Sequence, residues 1–297
     1  MPSYVQKQTR QGTIQPPAWL PDNTIFEGWT GSVAYGASSD NSDMDIVGVA
    51  IPPREAVFPH TAGHIEGFGP SRERFRVWQL HHVQDQNGNQ EYDFAIYNIV
   101  DFFTLVMDNN PNMIDVLFLP RRCVLHTTPM FERVREQRHM FLHRGGFPKF
   151  RGYAMSQMSK IAGGQNRSNK KRQADITKYG YSTKFAYHCV RLLLEIEQIL
   201  TTGDLILDRD SKVYQSIRNG EWSLEKLHEW MDEKERTLET LFAQSQLPEK
   251  PPVNKIRRLL MECLEEHYGS LDRLVHDSDR HANLIQDLEQ LVHRYRG

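Results

Sequence analysis

The stretch GWTGSVAYGASSDNSDMDIVGVAIPP runs from Gly28 to Pro53 and decides the reading of the chain. Asp43 and Asp45 sit one residue apart at the head of an apolar run, Met44 to Ile51, which Pro52 and Pro53 stop. Side chains alternate on a strand, so both carboxylates face the same way, roughly 7 Å apart at Cα. Two such charges repel unless something positive sits between them. Hard divalent cations such as Mg²⁺ take oxygen ligands and need only a few carboxylates when substrate phosphates supply the rest. A pair of these ions can clamp the attacking and leaving oxygens of a phosphoryl transfer. About a dozen residues upstream, Gly31-Ser32 follows a strand-like segment, Ile25 to Thr30, and precedes a short helical stretch, Val33 to Tyr35. Glycine lets the backbone approach a phosphate, and N–H groups at a helix start bind anions. The stretch therefore offers phosphate donors and metal ligands together.

Working outward, Arg74 to Val83 reads as a third strand. Gln86-Asn87-Gly88-Asn89 supplies an Asn-Gly hairpin turn, and Glu91 to Tyr97 returns as the fourth strand. A third carboxylate usually completes a site of this kind. Asp93 on the return strand is the first choice, Glu91 on the same strand face is the alternative, and Asp85 nearer the turn is weaker. Taken singly, Asp-x-Asp and Gly-Ser are short patterns that chance also produces. Their joint spacing in a strand–turn–strand context is what carries the reading.

The segments GSVAYG (Gly31 to Gly36) and NSDMDIVGVAIPP (Asn41 to Pro53) resemble the signature of the polymerase-β-like nucleotidyltransferase superfamily. Tyr35-Gly36 after the Gly-Ser pair, and Gly48-Val49 with Pro52-Pro53 after the Asp pair, narrow the likeness. They are similar to the nucleotidyltransferases of the RNA-repair, RNA-ligase-associated group of bacteria and phages. The likeness extends to NNPNMIDVLF (Asn109 to Phe118) and STKFAYHCVRLLLEIEQILTTGDL (Ser182 to Leu205). It implies that Gly31 and Ser32 contact nucleotide phosphates, with Tyr35 beside them, and that Asp43, Asp45 and Asp93 bind two Mg²⁺ or Mn²⁺ ions. The family often carries Glu where this chain has Asp115, a departure outside the expected metal site.

After Asn98 the pattern becomes helical. Helical spacing covers 99–107 and 109–119, then 130–142, 148–163, 182–202, 223–245, 253–267 and 280–295. Pro248, Pro251 and Pro252 separate two of these segments. The expected architecture is α+β: a polar, Pro-rich arm over residues 1–24, a mixed-sheet nucleotidyltransferase domain over 25–125, and a helical domain over 126–297.

Lys184, His188 and Arg191 fall at i, i+4 and i+7 and share one helix face, with Phe185, Cys189, Leu192, Leu193 and Ile196 as a packing stripe. Spacing alone describes a solvated charged face. The family likeness turns the three toward the nucleotide, Lys184 as a point charge and Arg191 as a bidentate donor. Arg167, Lys170, Lys171 and Arg172, with Tyr179 and Tyr181 close behind, suit RNA through phosphate attraction and base stacking, and equally suit a solvated loop. His81 and His82, on one strand with opposite orientation, make a poor metal pair, though one of them could line the cleft near Asp93. His60 and His64 read as a surface loop.

Composition is that of a soluble globular protein: 39% apolar, 25% charged, net charge −2 over 297 residues. No global basic field announces nucleic acid, so such binding must be local. Three widely spaced cysteines with no CxxC argue against a disulfide scaffold or a structural zinc. No Walker phosphate loop or dinucleotide fingerprint is present. The N-terminus lacks an apolar signal region and no run approaches the ~20 residues of a membrane helix, so a cytoplasmic location is expected.

The resemblance implies a metal-dependent enzyme. It would move a nucleoside monophosphate from an NTP such as ATP to a hydroxyl, with release of pyrophosphate. RNA, a tRNA-like molecule or a 3′ end under repair, is the expected acceptor. Transfer onto a protein, and a silent nucleotide- or RNA-binding module, are the alternatives. Base preference and oligomeric state are not legible in the sequence.

Overall fold

In the computed structural model, residues 2–38, 44–54, 75–84, 90–162 and 170–269, together with residue 288, are described. The fold is α+β, with a five-stranded mixed sheet in the N-terminal half and helices after it. The strands are β1 (Thr24–Trp29), β2 (Met44–Ala50), β3 (Val77–Gln84), β4 (Glu91–Asn98) and β5 (Val124–Thr127), in the order β3-β4-β2-β1-β5. β2 and β4 run parallel, and the other neighbours are antiparallel. Four strands match the expectation. The fifth does not, because its four residues follow a short 3₁₀ turn and carry no apolar alternation, and only pairing with β1 makes them a strand.

The sheet is covered on both faces. Residues 1–24 were expected to be an arm, but they fold as α1 (Tyr4–Arg10) and α2 (Leu20–Asn23). Ser3 and Gln6 close a capping box at the start of α1. Val5, Ile14 and Leu20 pack with Ile46, Ala50, Phe94 and Ile96 as a small core behind the sheet. Glu27 on β1 is fully buried there and accepts hydrogen bonds from the amides of Tyr4 and Val5. A carboxylate accepting the free N–H groups of a helix start is well placed against the helix dipole.

The helices on the other face are α3 (Ile99–Met107), α4 (Pro111–Leu117), α5 (Pro129–Glu136), α6 (Gly146–Ala162), α7 (Lys170–Tyr179), α8 (Thr183–Thr202), α9 (Ser211–Arg218), α10 (Leu224–Gln244) and α11 (Val253–Tyr268). Asn98, Asn110 and Thr128 cap α3, α4 and α5 with side-chain oxygens, and proline follows the cap in the last two. Gly203 at φ 67° ends α8 in the left-handed conformation. α8 is the axis of the helical half, with Phe185, Cys189, Leu193, Ile196 and Ile199 all buried. Phe131 of α5 stacks on Phe26 of β1 at 4.4 Å and joins helices to sheet. The helical segments read from the sequence did not include α7 or α9. The segment expected to be helical at 280–295 lies outside the described residues, apart from residue 288.

Candidate active site

Strand alternation sends Ile46, Phe94 and Ile96 to the rear core, which leaves Asp45, Val47, Asp93, Ala95 and Tyr97 on the face toward the helices. Parallel pairing sets Asp45 directly opposite Asp93 on the neighbouring strand. Adjacent strands lie about 4.8 Å apart, so two carboxylates 48 positions apart in the chain become neighbours. Both open into a cleft of about 430 Å³ between the sheet and the helices. Asp43 and Asp85 lie outside the described residues, as do the Asn-Gly turn, His60 and His64.

Gly31 comes into the same cleft. Its φ is +63°, and a Cβ there would stand 2.2 Å from Oδ2 of Asp45. A side chain there would be strained by the positive φ and would push the Asp45 carboxylate aside, so glycine keeps the turn and the carboxylate in close approach. The Thr30 amide donates to the Asp45 carbonyl at 2.8 Å, which ties the turn to β2. Ser32 follows in a 3₁₀ turn over Gly31–Val33, and its carbonyl accepts from the Ala37 amide at 2.9 Å. The helical start is thus Gly31 rather than Val33. The back of this turn is gripped by other elements. Gln215 donates to the Gly36 carbonyl at 2.7 Å, and Arg122 donates to the Ala34 carbonyl at 3.3 Å while pairing with Asp208 at 2.9 Å.

The two histidines depart from simple alternation. The β3–β4 register shifts between Leu80 and Val83, and His82 adopts φ 58°. This bulge turns both rings toward β4. His81 Nδ1 lies 3.4 Å from Asp93 Oδ2, and His81 lines the cleft. His82 donates its amide to Asp93 Oδ1 at 2.8 Å and places Nδ1 2.6 Å from Glu91 Oε1. Glu91 therefore faces a histidine, while Asp93 faces the cleft and Asp45. Among the described residues, His82, Glu91 and Asp93 place ligand atoms within 4.8 Å of one another, a donor set that suits a divalent cation.

The opposite wall is α8. His188 and Arg191 line the cleft, together with Leu192 from the expected packing stripe; Lys184 is half-buried one turn before them. Arg191 is buried, and its Nη1 lies 2.7 Å from Asp115 Oδ2 and 2.7 Å from Glu195 Oε1. Its guanidinium sits 4.3 Å over the Tyr35 ring, and the Tyr35 hydroxyl donates to Asp115 at 2.5 Å. The first partners of Tyr35 and Arg191 are thus protein groups. Burial opposes the charge on Arg191, yet Glu195, Tyr35 and Asp115 hold its pKa well above the ordinary value. Burial pushes Glu195 up to about 8 against the pull of Arg191, and raises Asp115 as well. Burial, then the charges of Arg191, Lys184, Arg218 and Lys160, depress His188 well below the usual imidazole range. Its ring is neutral in a positive field, and among the described residues it makes no hydrogen bond.

A family model described as the RNA repair pathway DNA polymerase beta family, RlaP, matches residues 6–262. The chain belongs to this family. Membership places it among polymerase-β-type nucleotidyltransferases. A related sequence is an uncharacterized 38.9 kDa protein of Enterobacteria phage T4, 23% identical over 140 residues; the match takes in 46% of this chain and 38% of that protein. A nucleotidyltransferase-like protein from Exiguobacterium sibiricum is similar across 98% of this chain and 90% of its own, with 11% identity and a TM-score of 0.29, a likeness too slight to build on.

For this member of the RlaP family, the structure brings Gly31, Tyr35, Asp45, Asp93, His188 and Arg191 to one cleft. It does not bring in the basic stretch: Arg167 and the side chains of Lys170, Lys171 and Arg172 lie outside the described residues. The tyrosines read with that stretch are otherwise engaged. Tyr181 is buried with its hydroxyl on the Trp222 carbonyl at 2.8 Å, and Tyr179 packs on Gly220. Tyr97, Asn112, Tyr153 and Gln157 also line the cleft and were missed. The signal was partly available: Tyr97 is two alternations beyond Asp93, and Gln157 is one helical turn beyond Tyr153. Among the described residues, no helix is long and apolar enough to cross a membrane.

Proposed function

We propose that this chain is a metal-dependent nucleotidyltransferase that moves a nucleoside monophosphate from an NTP to a hydroxyl of RNA. The observation that carries this reading is the juxtaposition of Asp45 with Asp93 over Gly31, facing His188 and Arg191 of α8 across an open cleft. The donor set fits hard divalent cations, Asp45 and Asp93 on the sheet with Asp43 beside them in sequence. Such ions, when bound, supply charge neutralisation and lower the pKa of the attacking hydroxyl. The chain's own groups do the positioning. Gly31 offers bare backbone close to the Asp45 carboxylate, and Ser32 adds a hydroxyl on the same turn. His188, kept neutral by burial and then by its cationic neighbours, is open to hydrogen-bond a phosphate oxygen, and an arriving polyanion would favour its protonation. Lys184 contributes to the same positive field. Arg191 and Tyr35 act one step back, holding the phosphate turn against α4 and α8. The acceptor oxygen attacks the α-phosphorus in line, the bond to the bridging oxygen breaks, pyrophosphate leaves, and the hydroxyl proton passes to solvent. Most of the acceleration comes from positioning and charge neutralisation.

RNA as acceptor follows from the family's RNA-repair description, and the basic run Arg167 to Arg172 agrees with it. The three cysteines are free and buried, which suits a cytoplasmic enzyme. The test is transfer of label from each α-labelled NTP, with Mg²⁺ or Mn²⁺, into total RNA or lysate protein. Label in RNA, lost in Asp45→Asn, is the expected result. Label in protein overturns the RNA acceptor, and equal transfer by wild type and Asp45→Asn overturns the site.

A further inference from the structure

The cleft has two chemically different ends. Along β4, Asp93, Ala95 and Tyr97 share the cleft face, so Tyr97 stands four residues, about 13 Å, from Asp93. The parallel register sets Val47 beside Ala95 and Val49 beside Tyr97. The floor thus runs from paired carboxylates, over a small apolar strip, to a tyrosine. That is the order of parts in an extended nucleoside triphosphate: phosphates, sugar, base.

A second aromatic stands at the same end. Tyr153 on α6 is 38% exposed, among few large apolar side chains so exposed in the described residues. Its hydroxyl accepts from Asn110 Nδ2 at 3.0 Å, which fixes the ring at the cleft wall. The two tyrosines are close enough to interact: burial first, then Tyr153, raises the Tyr97 pKa. Gln157 follows Tyr153 by one turn on the same helix face, and Asn112 comes from the first turn of α4; both line the cleft. Aromatic faces bind bases without regard to sequence, and amide side chains, which carry a donor and an acceptor side by side, match the amino group and ring nitrogen of adenine.

We propose that the Tyr97–Tyr153 end of the cleft is the subsite for the base of the donor nucleotide, with Tyr153 as its stacking face and Asn112 and Gln157 selecting adenine. This rests on the nucleotidyltransferase reading above. It assigns the ring to the donor nucleotide rather than to the terminal base of the RNA.

The experiment is direct titration of the full chain, with Mg²⁺, against ATP, the other NTPs and inorganic tripolyphosphate, for wild type, Tyr153→Ala, Tyr153→Phe and Gln157→Ala. The wild type should prefer ATP. Tyr153→Ala should weaken ATP about tenfold while leaving tripolyphosphate unchanged, since a stacked base is lost and the phosphate end is untouched. Tyr153→Phe keeps the ring and should bind ATP as wild type does, which separates stacking from any loss of fold. Gln157→Ala should level ATP against the other NTPs. Equal weakening of ATP and tripolyphosphate by Tyr153→Ala, undiminished ATP binding in that variant, or a wild-type preference for another base overturns the base subsite alone. A wild type that binds neither ATP nor tripolyphosphate overturns the nucleotidyltransferase reading, and this inference with it.

Discussion

The two faces of the sheet treat carboxylates in opposite ways. Behind the sheet, Glu27 is fully buried and its oxygens are taken by the amides of Tyr4 and Val5. On the front, deep under the cleft, Asp115 and Glu195 are buried against Arg191. Asp45 and Asp93, by contrast, sit half-buried side by side on two inner strands of the same sheet, open to the cleft. A carboxyl group buried with only protein groups as partners is part of the fold. A pair that lines an open cleft leaves room for a cation beside the contacts it already makes, such as those of Asp93 with the His82 amide and His81. The proposed function places its working acids in the second group.

The comparison breaks most sharply at the open pair. Asp45→Asn and Asp93→Asn should each abolish label transfer while the thermal midpoint stays near wild type; a large fall in the midpoint would move these residues to the structural class. Gly31→Ala should behave in the same way for activity, because its Cβ meets Asp45, but with some loss of stability that a denaturant titration would read.

Stability should be hurt most at Arg191. Arg191→Ala leaves Asp115 and Glu195 buried without a cation and should cost about 3–5 kcal/mol in denaturant unfolding. Arg191→Met with Asp115→Asn and Glu195→Gln should recover part of that loss, which would show that the charge imbalance and not the missing volume is responsible.

Smaller effects belong behind the sheet. Glu27→Ala strands two helix-start amides and should cost about 1–3 kcal/mol. The pH dependence has a definite sign. Burial first, opposed by the amide hydrogen bonds, raises Glu27 from 4.5 to about 7, so its favourable contribution is complete below pH 4.5 and is lost as the pH rises through about 7. The wild-type midpoint should therefore decline across that window, and Glu27→Gln should remove this part of the slope. The part due to Glu195, raised by burial from 4.5 to about 8, would persist in that variant. Smallest is Gln215→Ala, which frees the Gly36 carbonyl and should cost about 1 kcal/mol.

Much was legible where the signal is local. The apolar run Met44 to Ile51, the strand from Glu91 and the Asn-Pro opening of α4 mark strands and a cap that neighbours in sequence suffice to form. The orientation of Asp45 follows from strand alternation alone, and Asp93 could be named beside it because the hairpin's return strand had to lie somewhere on the sheet.

What only the tertiary structure decided lies in long-range pairing. The β2–β4 register puts Asp93, rather than Glu91, opposite Asp45, and a one-residue slip would have turned every side chain of β4 over. The bulge at His82 cancels the alternation that the sequence implies for the histidines. β5 exists because β1 has a free edge, and residues 1–24 become helices because Glu27 and the rear of the sheet receive them. Arg191 reads as a solvated cation on its own helix, yet Asp115 and Tyr35, 76 positions and more away, meet it in the interior. Composition and periodicity specify which residues can bury or pair. The partner each one meets is chosen only when distant segments close against one another, because the favourable energy of burial and pairing belongs to the contact and not to either residue.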